Sequence, residues 1–292
     1  MSLKVHFLAV GNGDCTITEL PDNRLMIVDI CNGRFNRSEA NLNFENPIRY
    51  LNSLNSYSTI YRYVQTHPEM DHMDGLSDLA SRYEIINFWD TRNDRARPSS
   101  FQQNFREEDW DAYAELHDSD VAKFRIRSSN PIGYNGQRRP YEIYALSPSE
   151  DLLRRANRSA DWNLLSYVLL LVYEGFKLLI GGDASDEAWQ DIYGWTQNDE
   201  DARTLLSNIT VFKTSHHGRS SSYCGGEILD IMRPQKIVIS RGSVPTEESA
   251  YGNYYYWAGQ DTENLLLTSQ GTIIVDYYNK QTRRYSVNQL GG

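Results

Sequence analysis

Residues 67–72 read His67-Pro-Glu69-Met-Asp71-His72, and they follow the apolar run Ile60 to Gln65. Two imidazoles and two carboxylates in so short a stretch constrain the fold more than any other part of the chain. A helix cannot set positions i, i+2, i+4 and i+5 on one face. A loop that leaves a strand and enters a helix can, by curling its side chains around one point. A plain polar turn, with Asp71 as the N-cap of the next helix, accounts for one of these residues and leaves the others unexplained. Together they offer the nitrogen and oxygen donors that divalent metals take.

The other histidines sharpen this. The chain has six, and His216 and His217 form a second cluster after the strand-like run Ile209 to Thr214. Strand ends are where a rigid scaffold aims ligands. A third piece is Gly181-Gly182-Asp183, at the tip of the apolar run Lys177 to Ile180. Alone, Gly-Asp is a common turn. Beside a His/Asp cluster it becomes a natural bridging carboxylate.

Apolar runs bounded by turn residues predict strands over 4–10, 15–20, 25–30, 60–65 and 85–89 in the first half. The second half reads as strands over 141–146, 165–173, 177–180, 209–214 and 236–240, then 272–278 and 283–287. Helical spacing is expected over 38–55, 75–83, 107–117, 185–194, 200–207, 225–232 and 260–267. Residues 91–140 differ in texture: they are polar, rich in Arg and Asp, and broken by Pro98, Pro131, Gly133 and Gly136. They read as an insertion, of the kind that forms a lid or substrate wall. No repeat of fixed period is visible. The order predicts an α+β chain: one domain over 1–292, with two mixed β-sheets packed face to face and helices outside.

Bulk properties exclude several classes. At 292 residues the chain can bury a sizeable core. Its net charge of −10 argues against a protein that coats nucleic acid, although a basic groove can sit on an acidic body. Leu164 to Tyr173 is the longest apolar stretch and has strand length, so no membrane partner is expected. The N-terminal residues lack a signal-peptide pattern. Cys15, Cys31 and Cys224 are odd in number and widely spaced, which suits neither a disulfide framework nor a zinc knuckle. A cytoplasmic location is the expectation, with Cys31 and Cys224 as small buried thiols.

The motifs, in this order, resemble the metallo-β-lactamase superfamily: His67-x-Glu69-x-Asp71-His72, then Gly182-Asp183, then His216-His217-Gly218. They are most similar to the hydrolase domain of the DNA-uptake competence protein ComEC and its stand-alone relatives. Val10-Gly-Asn-Gly-Asp14 resembles that branch's opening, and Ile27-Val-Asp29-Ile-Cys-Asn-Gly33 its second strand. Asn163-x-x-Ser166 and the run Lys236 to Gly242 are similar as well. The superfamily pattern has His at the third place and the ComEC-like branch has Asp; this chain has Glu69. A middle histidine of many members has no clear counterpart. His117 is the one candidate by position, and a surface helix histidine is the commoner case. Arg219 stands where Ser is usual.

The resemblance implies two divalent ions, zinc first and manganese or iron as alternatives. His67 and Glu69 would hold one, Asp71 and His72 the other. Asp183 would bridge, and His216 or His217 would complete the shell. Asp71 and Asp183 are the expected catalytic residues. Two ions about 3.5–4 Å apart share a water, lower its pKa toward neutrality and clamp an anionic transition state. Asp29 would orient a ligand histidine. Asp14, Asn163, Ser166 and Arg219 would support the site or face substrate. Tyr254-Tyr-Tyr256-Trp257 could stack on a ring, but strand or surface packing is the commoner role of such a run.

Three readings follow. A carboxylate-rich ligand set suits a phosphodiester substrate, nucleic acid or nucleotide-like. The same fold hosts hydrolysis of a lactone, thioester or β-lactam. Glu69 and the absent middle histidine leave open a binding protein with a degenerate site.

Overall fold

The computed structural model describes residues 2–32, 44–54, 56–101, 105–132, 139–242, 248–279 and 284–290. Gly33, Leu42, Gly133 and Gly136 lie outside them, as does the start of the helix expected from residue 38. The chain divides into two compact units. The first takes residues 1–125, 240–244 and 267–292; the second takes 126–239 and 245–266.

The first unit is built on an eight-stranded mixed sheet. Its order is Ala122–Phe124, Phe88–Asp90, Arg62–Val64, Leu25–Val28, Thr16–Glu19, Leu3–Phe7, Ile273–Asn279 and Arg284–Gln289. Ala122–Phe124, Phe88–Asp90, Arg62–Val64 and Leu25–Val28 run parallel, and the remaining neighbours are antiparallel. Three of the four parallel strands, Leu25–Val28, Arg62–Val64 and Phe88–Asp90, are largely apolar and buried at every residue. Strands covered on both faces have this composition. One core cluster gathers Ile27, Tyr63, Met73, Leu76, Leu79, Phe88, Trp110 and Tyr113.

The helices Leu76–Arg82 and Glu107–His117 are tied together by a charged knot. Asp109 is fully buried, and its Oδ1 accepts from Ser77 N at 3.0 Å and Ser77 Oγ at 2.6 Å. Arg106 donates to the same carboxylate at 2.9 and 3.1 Å. The helix expected over 107–117 is present. The stretch read as an irregular insertion also supplies the edge strand Ala122–Phe124.

The second unit holds a six-stranded sheet in the order Glu142–Ser147, Val168–Tyr173, Phe176–Ile180, Val211–Lys213, Lys236–Ile239 and Leu265–Leu267. Phe176–Ile180, Val211–Lys213 and Lys236–Ile239 run parallel. Helices Asp186–Asn198 and Glu200–Leu206 begin at Ser185 and Asp199, whose side chains accept from Ala188 N and Ala202 N. The helix Glu150–Ser159, capped by Ser149, is an addition to the expected elements.

Two expectations are corrected here. The stretch 260–267 is a turn followed by the buried strand Leu265–Leu267, because three consecutive leucines complete the sheet edge and Asp261 Oδ1 caps the turn at Glu263 N. The tyrosine run is the helix Tyr251–Trp257, with Tyr254 buried against Phe212 and Tyr223. Its i, i+4 neighbours Tyr251 and Tyr255 stack. No described helix is long and apolar enough to cross a membrane.

Candidate functional site

The first cluster grows from the ends of parallel strands. Arg62–Val64 lies between Leu25–Val28 and Phe88–Asp90, and Gln65 continues the ladder by donating to Trp89 O at 2.9 Å. Asp29 leaves its strand in the left-handed conformation, φ 57°. Asp and Asn accept that region more readily than other residues with a side chain. The turn aims its carboxylate at residues 66–72. Asp29 Oδ1 accepts from Thr66 N at 2.8 Å, and Oδ2 from Thr66 Oγ1 at 2.7 Å. His72 Nδ1 donates to the same Oδ2 at 2.7 Å.

These contacts decide the ring states. Thr66 spends its proton on Asp29, so its oxygen accepts from His67 Nδ1, 3.1 Å away. Each imidazole thus carries its proton on Nδ1 and its lone pair on Nε2. The two rings lie 4.3 Å apart, both fully buried. Burial pushes the Asp29 carboxyl above its ordinary value, and the His72 and Thr66 donors pull it back toward ionisation. The Cys15 thiol is pushed well up, by burial first and then by Asp29 and Asp14, so it stays protonated.

The loop itself is pinned from behind. Gln65 Nε2 donates to His67 O at 2.8 Å and His72 O at 3.1 Å, and Tyr63 OH donates to Gln65 Oε1 at 3.1 Å. Met70–His72 forms one short 3-10 turn, in which Asp71 is half-buried. Gly13 packs so closely that a Cβ there would meet Cys31 Sγ at 2.3 Å and Asp71 O at 2.8 Å. This explains the Gly-Asn-Gly-Asp14 opening: it brings the buried Asp14 beside Asp29 and His72. One ligand atom of each lies within 4.8 Å of the others. Glu69 is placed differently. Its Oε1 takes the Arg95 guanidinium at 2.7 Å.

The second cluster lies at the ends of Phe176–Ile180 and Val211–Lys213. Ser215 Oγ donates to Gly181 O at 3.0 Å and accepts from Trp189 Nε1 at 3.0 Å. A Cβ on Gly181 would fall 2.4 Å from that hydroxyl. Asp183 is buried, and its backbone N–H donates to Ser166 Oγ at 2.9 Å. Asn163 sits in the preceding turn, its carbonyl accepting from Ser166 N at 3.3 Å. His216 N donates to Gly182 O at 3.0 Å, its Nδ1 lies 3.1 Å from Ser222 Oγ, and its Nε2 is 3.7 Å from Asp183 Oδ2. His217 is buried and His216 partly so. Both adopt positive φ, 48° and 55°. Two successive left-handed residues cost about 1–2 kcal/mol each, and such strain is kept mostly at functional turns. Arg219 is exposed and bridges to Ser249. Burial pushes the Cys224 thiol up to about 12, which suits a packing residue.

Among the described residues, His117 belongs to no group that could hold a metal. Its Nδ1 bonds the buried Asp90 Oδ2 at 2.7 Å, which also accepts from Tyr113 OH at 2.7 Å. Sequence reasoning did not single out Tyr63, Gln65, Thr66, Ser222 or Arg95. Gln65 and Thr66 adjoin His67 and were within reach of a reading that asked what holds the loop. Arg95 carries no local signal.

No family model and no curated protein matches the chain. Among solved structures it is similar to CmlA, a diiron β-hydroxylase from Streptomyces venezuelae, with TM-score 0.51 and 11% identity over 99% of this chain and 54% of that one. It is also similar to Igni18, a metallo hydrolase from Ignicoccus hospitalis, with TM-score 0.52 and 12% identity over 99% of this chain and 100% of that one. A further similar structure is the metallo-β-lactamase fold protein YhfI from Bacillus subtilis, with TM-score 0.48 and 10% identity over 91% of this chain and 96% of that one. The α+β fold is shared with Igni18 over the full length of both chains and with the matched half of CmlA. The chain spans about half the length of CmlA, and at these identities the likeness is one of fold.

The donor set of the first cluster fits a divalent ion. Two buried imidazoles leave Nε2 as the atom to offer a metal, one ring backed directly by a carboxylate through Nδ1 and the other through a hydroxyl. That is how metal-ligating histidines are held.

Proposed function

We propose that this chain is a metal-dependent hydrolase acting on a phosphodiester, in nucleic acid or a nucleotide-like molecule. The observation that carries the reading is the chain of hydrogen bonds from His72 and His67 to Asp29. A buried carboxylate that spends its acceptors on orienting two imidazoles makes ligands of them. The likeness of the motifs to the ComEC-like branch supports the same reading.

The proposed ligands are His67, Asp71 and His72 of the first cluster, with Asp183 and one of His216 and His217 of the second. When bound, the metal supplies Lewis acidity and lowers the pKa of water. The protein's own residues do the rest. Asp29 and Thr66 hold the rings in one tautomer. Gln65 and Tyr63 fix the carbonyls of the loop, so that the ligands do not reorganise during turnover. Asp71 is half-buried at the turn, where its carboxylate can orient the attacking water and accept its proton. Carboxylates beside imidazoles favour hard, anionic chemistry, which ranks phosphate esters above carbonyl substrates.

Metal-loaded protein incubated with a chromogenic phosphodiester, single-stranded DNA, RNA and cyclic dinucleotides tests the proposal. Turnover of any of these is expected. Turnover of a lactone or thioester, with none of a phosphodiester, would overturn the substrate class.

A further inference from the structure

The third place of the first motif is occupied by a salt bridge. Glu69 Oε1 lies 2.7 Å from the Arg95 guanidinium, and the same guanidinium nitrogen bonds the carbonyl of Pro68, the preceding residue. Arg95 is largely buried, its side chain 15% exposed. Its charge lies 5.7 Å from the Trp110 ring centroid, and Trp110 is part of the core. The backbone at Arg95 is set as well. Arg95 N donates to Asn93 Oδ1 at 3.2 Å, and Asn93 Nδ2 donates to Tyr113 OH at 2.8 Å and Thr91 O at 3.1 Å. The arginine is therefore delivered by a built segment that continues from the strand Phe88–Asp90.

This arrangement bears on how many ions the first cluster draws. The motif would give His67 and Glu69 to one ion and Asp71 and His72 to another. A guanidinium on Glu69 already neutralises that carboxylate, and it is a permanent cation. An ion placed on the other oxygen of Glu69, whose side chain is 36% exposed, would meet like-charge repulsion from the guanidinium at short range. His67 would then be the only donor from this motif left for that position.

We propose that Arg95 stands in for one of the two metal ions. The chain holds a single divalent ion, to which this motif gives His67, Asp71 and His72, and Glu69 is the partner of Arg95 instead of a ligand. This rests on the metal-centre reading above and concerns how that centre is filled.

Metal content after exhaustive loading with zinc, and separately with manganese, tests it without reference to activity. Mass spectrometry of the intact protein gives the stoichiometry, and chelator competition gives the affinity. One ion per chain is expected. Glu69→Gln should keep that ion with its dissociation constant within twofold, while Asp71→Asn weakens it at least tenfold. Arg95→Met should admit a second ion, and Arg95→Lys, which keeps the charge, should not. Two ions in the unaltered chain would overturn the inference. So would loss or tenfold weakening of the ion in Glu69→Gln, or a single ion in a folded Arg95→Met. If Arg95→Met does not fold, the unaltered chain and Glu69→Gln decide alone. No ion under any loading would overturn the metal-centre reading itself.

Discussion

His72 Nδ1 donates to Asp29 Oδ2 across 2.7 Å, and neither side chain reaches solvent. Asp29 directly follows the strand Leu25–Val28, and His72 closes the 3-10 turn in the loop that follows Arg62–Val64. Their pairing joins the end of the third strand of the chain to the metal motif, and it makes one residue's conformation depend on the other's charge. Asp29→Asn should lower metal affinity about 10–100-fold, the usual loss when such a backing carboxylate is removed. Chelator competition at fixed pH would measure it. Because the amide also alters two bonds from Thr66, folding stability should drop by about 1–3 kcal/mol in denaturant titration.

Asp183 should separate chemistry from stability. The bond that anchors its turn runs from its backbone N–H to Ser166 Oγ, and this survives truncation of the side chain. Asp183→Ala should therefore reduce kcat/KM on the substrate that is turned over by about 100-fold or more. The denaturant midpoint should move little. A loss of activity matched by a loss of fold would make Asp183 a structural residue.

Gly13→Ala should damage the site from underneath. The added methyl would meet Cys31 Sγ and the Asp71 carbonyl, both in buried surroundings. Overpacking of this kind costs about 1–3 kcal/mol. The displaced atom belongs to a proposed ligand, so metal affinity should fall together with stability. Metal titration and thermal unfolding of the same sample would show whether the two move together.

Asp109→Ala should be strongly destabilising although it alters none of the proposed ligands. The fully buried carboxylate accepts from Ser77 and Arg106. Removing it leaves a partly exposed guanidinium and an uncapped helix start at Leu76–Arg82. A cost of about 2–3 kcal/mol is expected from equilibrium unfolding, below that of a wholly buried pair because Arg106 retains contact with water.

His117 should make stability depend on pH. Its pKa is raised, chiefly by the hydrogen bond to Asp90. A raised folded-state pKa contributes stability that is full below the unfolded value and fades as pH rises through the folded one. His117→Gln cannot gain that proton. The stability gap between the unaltered chain and His117→Gln should be widest near pH 6, about 1 kcal/mol for a partly exposed charge-assisted bond, and should narrow by pH 9. Parallel denaturant titrations would check it. A gap independent of pH would show that the bond does not depend on an imidazolium.

Local sequence determined the alternation of strands and helices, the strand-end position of both His/Asp clusters, and the order of motifs that identifies the fold. Those features are local because they follow from residue spacing over a few positions, as in Arg62–Val64 leading to His67. They failed where two local patterns compete. Leu265-Leu-Leu267 serves a helix or a strand equally, and pairing at the sheet edge settled it. The tyrosine run became a helix because Tyr254 had a core to enter beside Phe212.

Tertiary structure alone decided how each ligand is held. Parallel pairing of Leu25–Val28 with Arg62–Val64 brings Asp29 within hydrogen-bond reach of Thr66 and His72, and those contacts orient the His67 and His72 rings. It also brought Arg95 to Glu69, a residue far along the chain that no spacing rule connects to the motif. A carboxylate's partner depends on which charge the fold delivers within a few ångströms of it, because Coulomb attraction falls with distance and water screens it beyond contact range. Sequence shows that Glu69 is acidic and stands where a ligand is expected. Only the folded chain shows which cation it meets.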